Sequence, residues 1–99
     1  MVSQFEKDFY QTMKTKGFAL IPQFKVGKYI IDFVLENEDG KKIALECDGD
    51  QDYSLESYEK ELVKQDVLER CGWTFLRIRA SEFYYDEEKV IKEILKRIR

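Results

Sequence analysis

Apolar residues recur at four-residue steps at Phe5, Phe9 and Met13, behind Ser3 and Glu6 in capping-box spacing, and the run closes on Lys14, Lys16 and Gly17. This spacing predicts a helix over residues 4–16. From Phe18 the period changes to a short apolar run over 18–24, whose Pro22 cannot donate to a ladder and so belongs at a sheet edge or a bulge. Residues 28–35 alternate, with Tyr29, Ile31, Phe33 and Leu35 on one face and Ile30, Asp32 and Val34 on the other. A single carboxylate, Asp32, interrupts an otherwise apolar strand.

Turn residues fill 36–40, and a third strand over 41–47 opposes Ile43, Leu45 and Cys47 to Ala44 and Glu46. Again one carboxylate breaks an apolar strand. After the polar stretch 48–54, residues 55–70 are rich in Leu, Glu, Lys and Gln and end on Cys71-Gly72, which predicts a second helix. Residues 73–78 form a compact strand, 80–86 a link, and Val90, Ile91, Ile94, Leu95 and Ile98 mark an amphipathic final helix led by acids and closed by bases. The order is α-β-β-β-α-β-α: an antiparallel meander, a helical crossover to a fourth strand, and helices packed on the sheet, an α/β fold.

With 99 residues, 43% of them hydrophobic and 14% aromatic, the chain has material for one core, and a single domain over 1–99 is expected. The net charge of −3 gives no whole-molecule attraction to nucleic acid, so DNA binding would need a local basic face or a neighbouring domain. The chain has no His, which removes Ser-His-Asp and Cys-His catalysis and leaves few soft ligands for zinc. Cys47 and Cys71 form no ligand-like pair and are read as reduced and buried. Val2-Ser3-Gln4 after Met1 is polar and no stretch is long enough to span a bilayer, so no membrane partner and a cytoplasmic setting are expected.

In a hairpin with Asp32 opposite Glu46, residues 37–41 form the loop and the two carboxylates share a face. About 5 Å apart at an effective dielectric near 20, they repel by roughly 3 kcal/mol. A divalent cation turns that penalty into binding, and Mg²⁺, with Mn²⁺ as substitute, suits two carboxylates plus a backbone carbonyl, here that of Cys47. The bland alternative is a pair of strand-end acids facing solvent. Glu46-Cys47-Asp48-Gly49-Asp50 adds an acidic cluster at a strand end, where ligand-bearing loops commonly begin.

The blocks Pro22-Gln23-Phe24-Lys25-Val26-Gly27-Lys28-Tyr29 into Ile31-Asp32-Phe33, Ala44-Leu45-Glu46-Cys47-Asp48-Gly49, and Leu68-Glu69-Arg70-Cys71-Gly72-Trp73 leading to Arg77-Ile78 together resemble one group. It is the very-short-patch-repair-like branch of the PD-(D/E)XK nucleases, domains often found at the C-terminus of superfamily 1 helicases. The resemblance implies a restriction-endonuclease-like fold with a mixed four-stranded sheet flanked by helices, and a magnesium-dependent DNA cleavage centre. Within it Asp32 and Glu46 match the metal-binding acids, Glu6 matches a glutamate of the first helix, and Gln23 a glutamine ahead of the metal-binding strand.

Two positions depart from the pattern. Asp48 stands where the E-x-K motif has lysine, and Tyr53 where a histidine is expected; a phenol titrating near 10 is a poor substitute for imidazole. Lys64 or Gln65 on the second helix is the candidate for a migrated lysine. Lys25, Lys28, Arg70 and Arg77, with Gln23 and Tyr53, are candidates for contact with nucleic acid, although solvated surface or helix-terminus pairing explains the cations equally well. The expected function is a Mg²⁺-dependent endonuclease domain hydrolysing DNA phosphodiesters, a module of a helicase-like or repair protein. Its expected partners are DNA and a helicase domain in the same or another chain, with a homodimer left open. The alternative is a catalytically degenerate module that keeps the fold and binds nucleic acid or a protein.

Overall fold

The computed structural model describes residues 3–49 and 54–98. The first helix, α1 (Gln4–Thr15), starts where the capping box places it, with the Glu6 amide donating to the Ser3 hydroxyl at 3.2 Å. Phe5, Phe9 and Met13 are its buried stripe. It stops because Gly17 adopts a φ of +93°, so that the amides of Gly17 and Phe18 fold back onto the carbonyls of Lys14 and Met13.

Three antiparallel strands follow, β1 (Leu20–Val26), β2 (Tyr29–Glu36) and β3 (Lys42–Asp48). The first lies two residues further along than the apolar run alone implies. A crossover through α2 (Leu55–Arg70) leads to β4 (Thr74–Arg79), which pairs parallel to β3 and completes a mixed sheet in the order β1-β2-β3-β4. Pro22 lies in the edge strand β1, as its missing donor requires. The stretch expected as a link is instead a short helix, α3 (Ala80–Tyr85), which buries Ala80 and Phe83 before α4 (Glu87–Ile98) begins. That burial, rather than local propensity, holds α3 in place.

Two apolar clusters cover the sheet. The larger joins Phe5, Phe9 and Met13 of α1, Phe83 of α3 and Val90, Ile91, Ile94 and Ile98 of α4 to Phe33, Leu35, Ile43 and Leu45. Rings meet there at 5.6–5.8 Å, with Phe9 against both Phe33 and Phe83. The smaller joins Ile31, Val34, Ala44 and Phe75 to Leu68 of α2.

This corrects the alternation expected for β2. Ile31 packs with Val34 in the smaller cluster, not with Phe33 and Leu35. The reason lies at Asp32, where the β1–β2 ladder skips the Gln23–Asp32 position and Gln23 has a φ of +51°. Alternation holds only along an uninterrupted pleat, and here both strands are interrupted at one level. The reading of both cysteines as buried is corrected as well: Cys47 is half-buried, and Cys71, the residue that ends α2, is exposed.

Candidate active site

The β2–β3 pairing runs Glu36 with Lys42, Leu35 with Ile43, Val34 with Ala44 and Phe33 with Leu45. The next position in that register is Asp32 opposite Glu46, and there the side chains take over from the ladder. The Asp32 amide donates to Glu46 Oε2 at 2.9 Å, and the Cys47 amide donates to Asp32 Oδ2 at 2.9 Å. Each strand thus lends a carboxylate to the other's backbone at the point where the two strands part.

Glu46 is 2% exposed, the one buried charged residue among those described. Burial raises its pKa from the ordinary carboxylate value to about 7, the charge of Asp32 adds to the rise, and Lys64 opposes it. Asp32 is pushed up by burial too, against the hydrogen bonds it makes with Glu46 and the Cys47 amide. Lys64 of α2 supplies the nearest cation, its ammonium donating to Glu46 Oε1 from a side chain that is 13% exposed. The α1 residue Glu6 keeps its capping bond, and its charge also reaches this centre, acting on both Asp32 and the Cys47 thiol. Burial and the surrounding carboxylates Asp32, Glu6, Glu46 and Asp48 together push that thiol up, which makes it a poor nucleophile.

A second layer lies one step along the sheet. Arg77 of β4 stands beside Glu46 in the parallel pairing, and its guanidinium donates to Gln65 Oε1 at 2.9 Å and to Asp48 Oδ1 at 3.1 Å. It also reaches Glu61 of α2, at 3.3 Å to the carboxylate and 3.4 Å to the carbonyl. Burial raises the pKa of Asp48 while Arg77 opposes the rise. Of the two candidates for a migrated lysine, then, Lys64 reaches the carboxylate pair and Gln65 is turned to Arg77.

The candidates for nucleic-acid contact are dispersed. Gln23 lies across from Asp32 on the exposed edge strand. Lys28 stands 5.4 Å from the Tyr29 ring and borders an open cleft of about 610 Å³ that Lys60 and Lys64 also line. Lys25 is exposed on β1, and Arg70 is exposed at the end of α2, paired with Asp66 at 3.3 Å. On the other flank of the site, Arg77, Arg79, Tyr58 and Leu62 border a cleft of about 590 Å³. Trp73 and Phe24 meet edge to face at 5.7 Å in the smaller cluster's margin. Tyr53 and Asp50 lie outside the described residues.

Sequence reasoning missed Glu61. The available signal was helical spacing, since Glu61, Lys64, Gln65 and Leu68 fall on the one face of α2 that meets the sheet.

Among the described residues no group of three or more acidic, thiol or imidazole side chains forms a ready-made metal cage. What the site offers is a carboxylate pair held at raised pKa, Glu46 buried and Asp32 half-buried, a donor set of hard oxygens whose mutual repulsion a dication would relieve. That chemistry fits Mg²⁺ or Mn²⁺. No helix among the described residues is long and apolar enough to cross a membrane.

An uncharacterized protein of Escherichia coli (strain K12), YcjD, is 29% identical to the chain over 90 residues, which covers 91% of this chain and 73% of that protein. An uncharacterized protein of Haemophilus influenzae (strain ATCC 51907 / DSM 11121 / KW20 / Rd) is 30% identical over 78 residues, 79% of this chain and 62% of that one. No solved structure matches significantly. A mixed four-stranded sheet flanked by helices, an Asp-Glu pair where β2 and β3 part, and a family match running over residues 5–98 agree: the chain belongs to the restriction-endonuclease-like family REase_MTES_1575.

Proposed function

We propose that this nuclease-fold domain is a metal-dependent endonuclease of the very-short-patch-repair-like type, hydrolysing DNA phosphodiesters at the Asp32–Glu46 centre. The observation that carries the reading is the buried Glu46 carboxylate, which holds a lysine and the Asp32 strand segment against it, with clefts lined by the neighbouring Cys47 and Asp48 on one side and by Lys64 on the other. Such an arrangement is costly to stability and is characteristic of sites built for chemistry.

Asp32 and Glu46, with the Cys47 carbonyl, would hold the dication, which supplies charge stabilisation at the attacked phosphodiester and activates water. The chain's own groups do the rest. The Cys47 amide orients Asp32, and the Asp32 amide orients Glu46. Lys64 opposes the rise in the Glu46 pKa and sets a positive charge beside the position where negative charge would grow. Glu6 adds a further carboxylate at the margin, where it can steer a proton or a second water. A chain with net charge −3 needs help to approach DNA, so the domain is read as working beside a helicase-like neighbour, in the same or another chain.

A second reading, a degenerate module without cleavage, draws on one specific observation: the cross-strand bonds to the Asp32 and Glu46 carboxylates are a sufficient structural use for both. Calorimetry with Mn²⁺ and Mg²⁺ on wild type and Asp32→Asn, with plasmid nicking on the same samples, separates the two. Asparagine keeps the acceptor for the Cys47 amide and removes the charge. Metal binding and nicking lost together in the folded variant support the nuclease. No binding to wild type at millimolar metal sinks it in favour of the degenerate module. Lys64→Met is expected to lower nicking by about 10²-fold while leaving DNA affinity nearly unchanged.

A further inference from the structure

We infer that Arg77 is a positioning residue that fastens the middle of α2 to the sheet and so holds Lys64 on Glu46; this rests on the nuclease reading only for its kinetic consequence. The helix needs such a device. Of its 16 residues only Leu68 is fully buried, whereas Leu55, Tyr58, Leu62 and Val63 are all exposed. Apolar packing therefore anchors the C-terminal end, and Lys64 lies a turn ahead of that anchor. The ion pairs Lys60–Glu56 and Arg70–Asp66 join the helix to itself and fix nothing to the sheet. Among the described residues, the side-chain links from α2 to the strands come from Lys64 and Arg77.

Arg77 suits the task in a way a lysine would not. Its Nε, Nη1 and Nη2 reach Gln65, Asp48 and Glu61, three acceptors on two elements, and the guanidinium stands 5.3 Å from the Phe75 ring. A planar fork spread over three acceptors fixes a direction as well as a distance. The two helix acceptors, Glu61 and Gln65, bracket Lys64 in sequence. With that turn set down on β4, the Lys64 ammonium reaches a carboxylate whose side chain is 3% exposed. Because its donors are already turned to protein acceptors, Arg77 acts on the site through Lys64 and not by gripping phosphate.

The test reads Lys64 directly, by competitive acetylation with an N-hydroxysuccinimide ester and mass spectrometry of the peptides. Lys60, on the same helix with 76% of its side chain exposed, is the internal reference. In wild type, Lys64 is expected to label at least about 10-fold more slowly than Lys60, because it is ion-paired and enclosed. In Arg77→Gln the two rates should converge to within about 3-fold, with the backbone amide spectrum retained, and Arg77→Lys should fall between. Asp48→Asn leaves both helix acceptors in place and should keep Lys64 protected. If Arg77→Gln fails to fold, the double variant Glu61→Ala/Gln65→Ala frees the helix without touching the strands and carries the same expectation. Unchanged protection of Lys64 in a folded variant overturns the inference.

Kinetics add an independent arm. Arg77→Gln is expected to lower kcat of nicking by about 10-fold at unchanged KM, with no further loss in a Lys64→Met background. A raised KM at unchanged kcat overturns the inference in favour of a phosphate contact. Should wild type fail to nick in any metal, the nuclease reading falls alone, and the labelling ratio still decides the role of Arg77.

Discussion

The two faces of the sheet are built from different chemistry. On one, α1, α3 and α4 bury Phe5, Phe9, Met13, Phe83, Ile91 and Ile94 in a continuous apolar cluster with several aromatic contacts. On the other, α2 contributes Leu68 to a cluster of five buried residues and otherwise meets the sheet through Lys64, Gln65, Glu61 and the guanidinium of Arg77. Dry packing is non-directional and close to additive in area, whereas a polar network is specific in geometry and costly if incomplete. The division keeps most of the fold's stability away from the site, so the α2 face can carry a repelling carboxylate pair without endangering the core.

The largest test of this contrast is a truncation on the dry face. Phe9→Ala is expected to cost about 3–5 kcal/mol in urea denaturation, since Phe9 is fully buried between Phe5, Phe33 and Phe83. A loss below about 1 kcal/mol would show that the packed face does not dominate stability.

Next comes pH on the polar face. Glu46 has a folded-state pKa raised to about 7, so the folded protein holds this proton more tightly than the unfolded chain does. Its contribution to stability is fully present below the unfolded carboxylate value and is lost as pH rises through about 7. For metal-free protein the expected loss is about 3 kcal/mol between pH 4 and pH 8, read from denaturation midpoints. Glu46→Gln should flatten the profile, and millimolar Mg²⁺ should recover stability at pH 8. A flat wild-type profile in EDTA would mean that Lys64 already balances the pair.

The smallest expected effect sharpens the contrast within α2 itself. Leu62→Ser, on its exposed stripe, should change stability by no more than about 0.5 kcal/mol. A larger loss would mean that the exposed half of α2 rests on something other than its polar fastening.

Much of the architecture was legible from local chemistry. The capping box of α1, the glycine stops after α1 and α2, the 37–41 loop and the opposition of Asp32 to Glu46 each follow from spacings of a few residues. The α3 helix was not legible, because a six-residue helix is too short to persist on its own pattern and is held by Phe83 entering a core made by distant segments. Nor was the break at Asp32, since strict alternation assumes a continuous ladder, and the interruption depends on how β1 and β3 both lie against β2.

The candidate site divides in the same way. Two lone carboxylates interrupting apolar strands are a property of the sequence. Which helix residue meets them is not. Lys64 and Gln65 are neighbours with equal claims in sequence, and only the seating of α2 on the sheet sends the first to Glu46 and the second to Arg77. The sequence by itself determined the order of elements apart from α3, much of the main core and the two lone carboxylates, all of which rest on short-range periodicity. The tertiary structure decided the cation that answers the pair and the arginine network beside it, because those contacts join residues many positions apart whose meeting depends on how one helix is set down on one sheet.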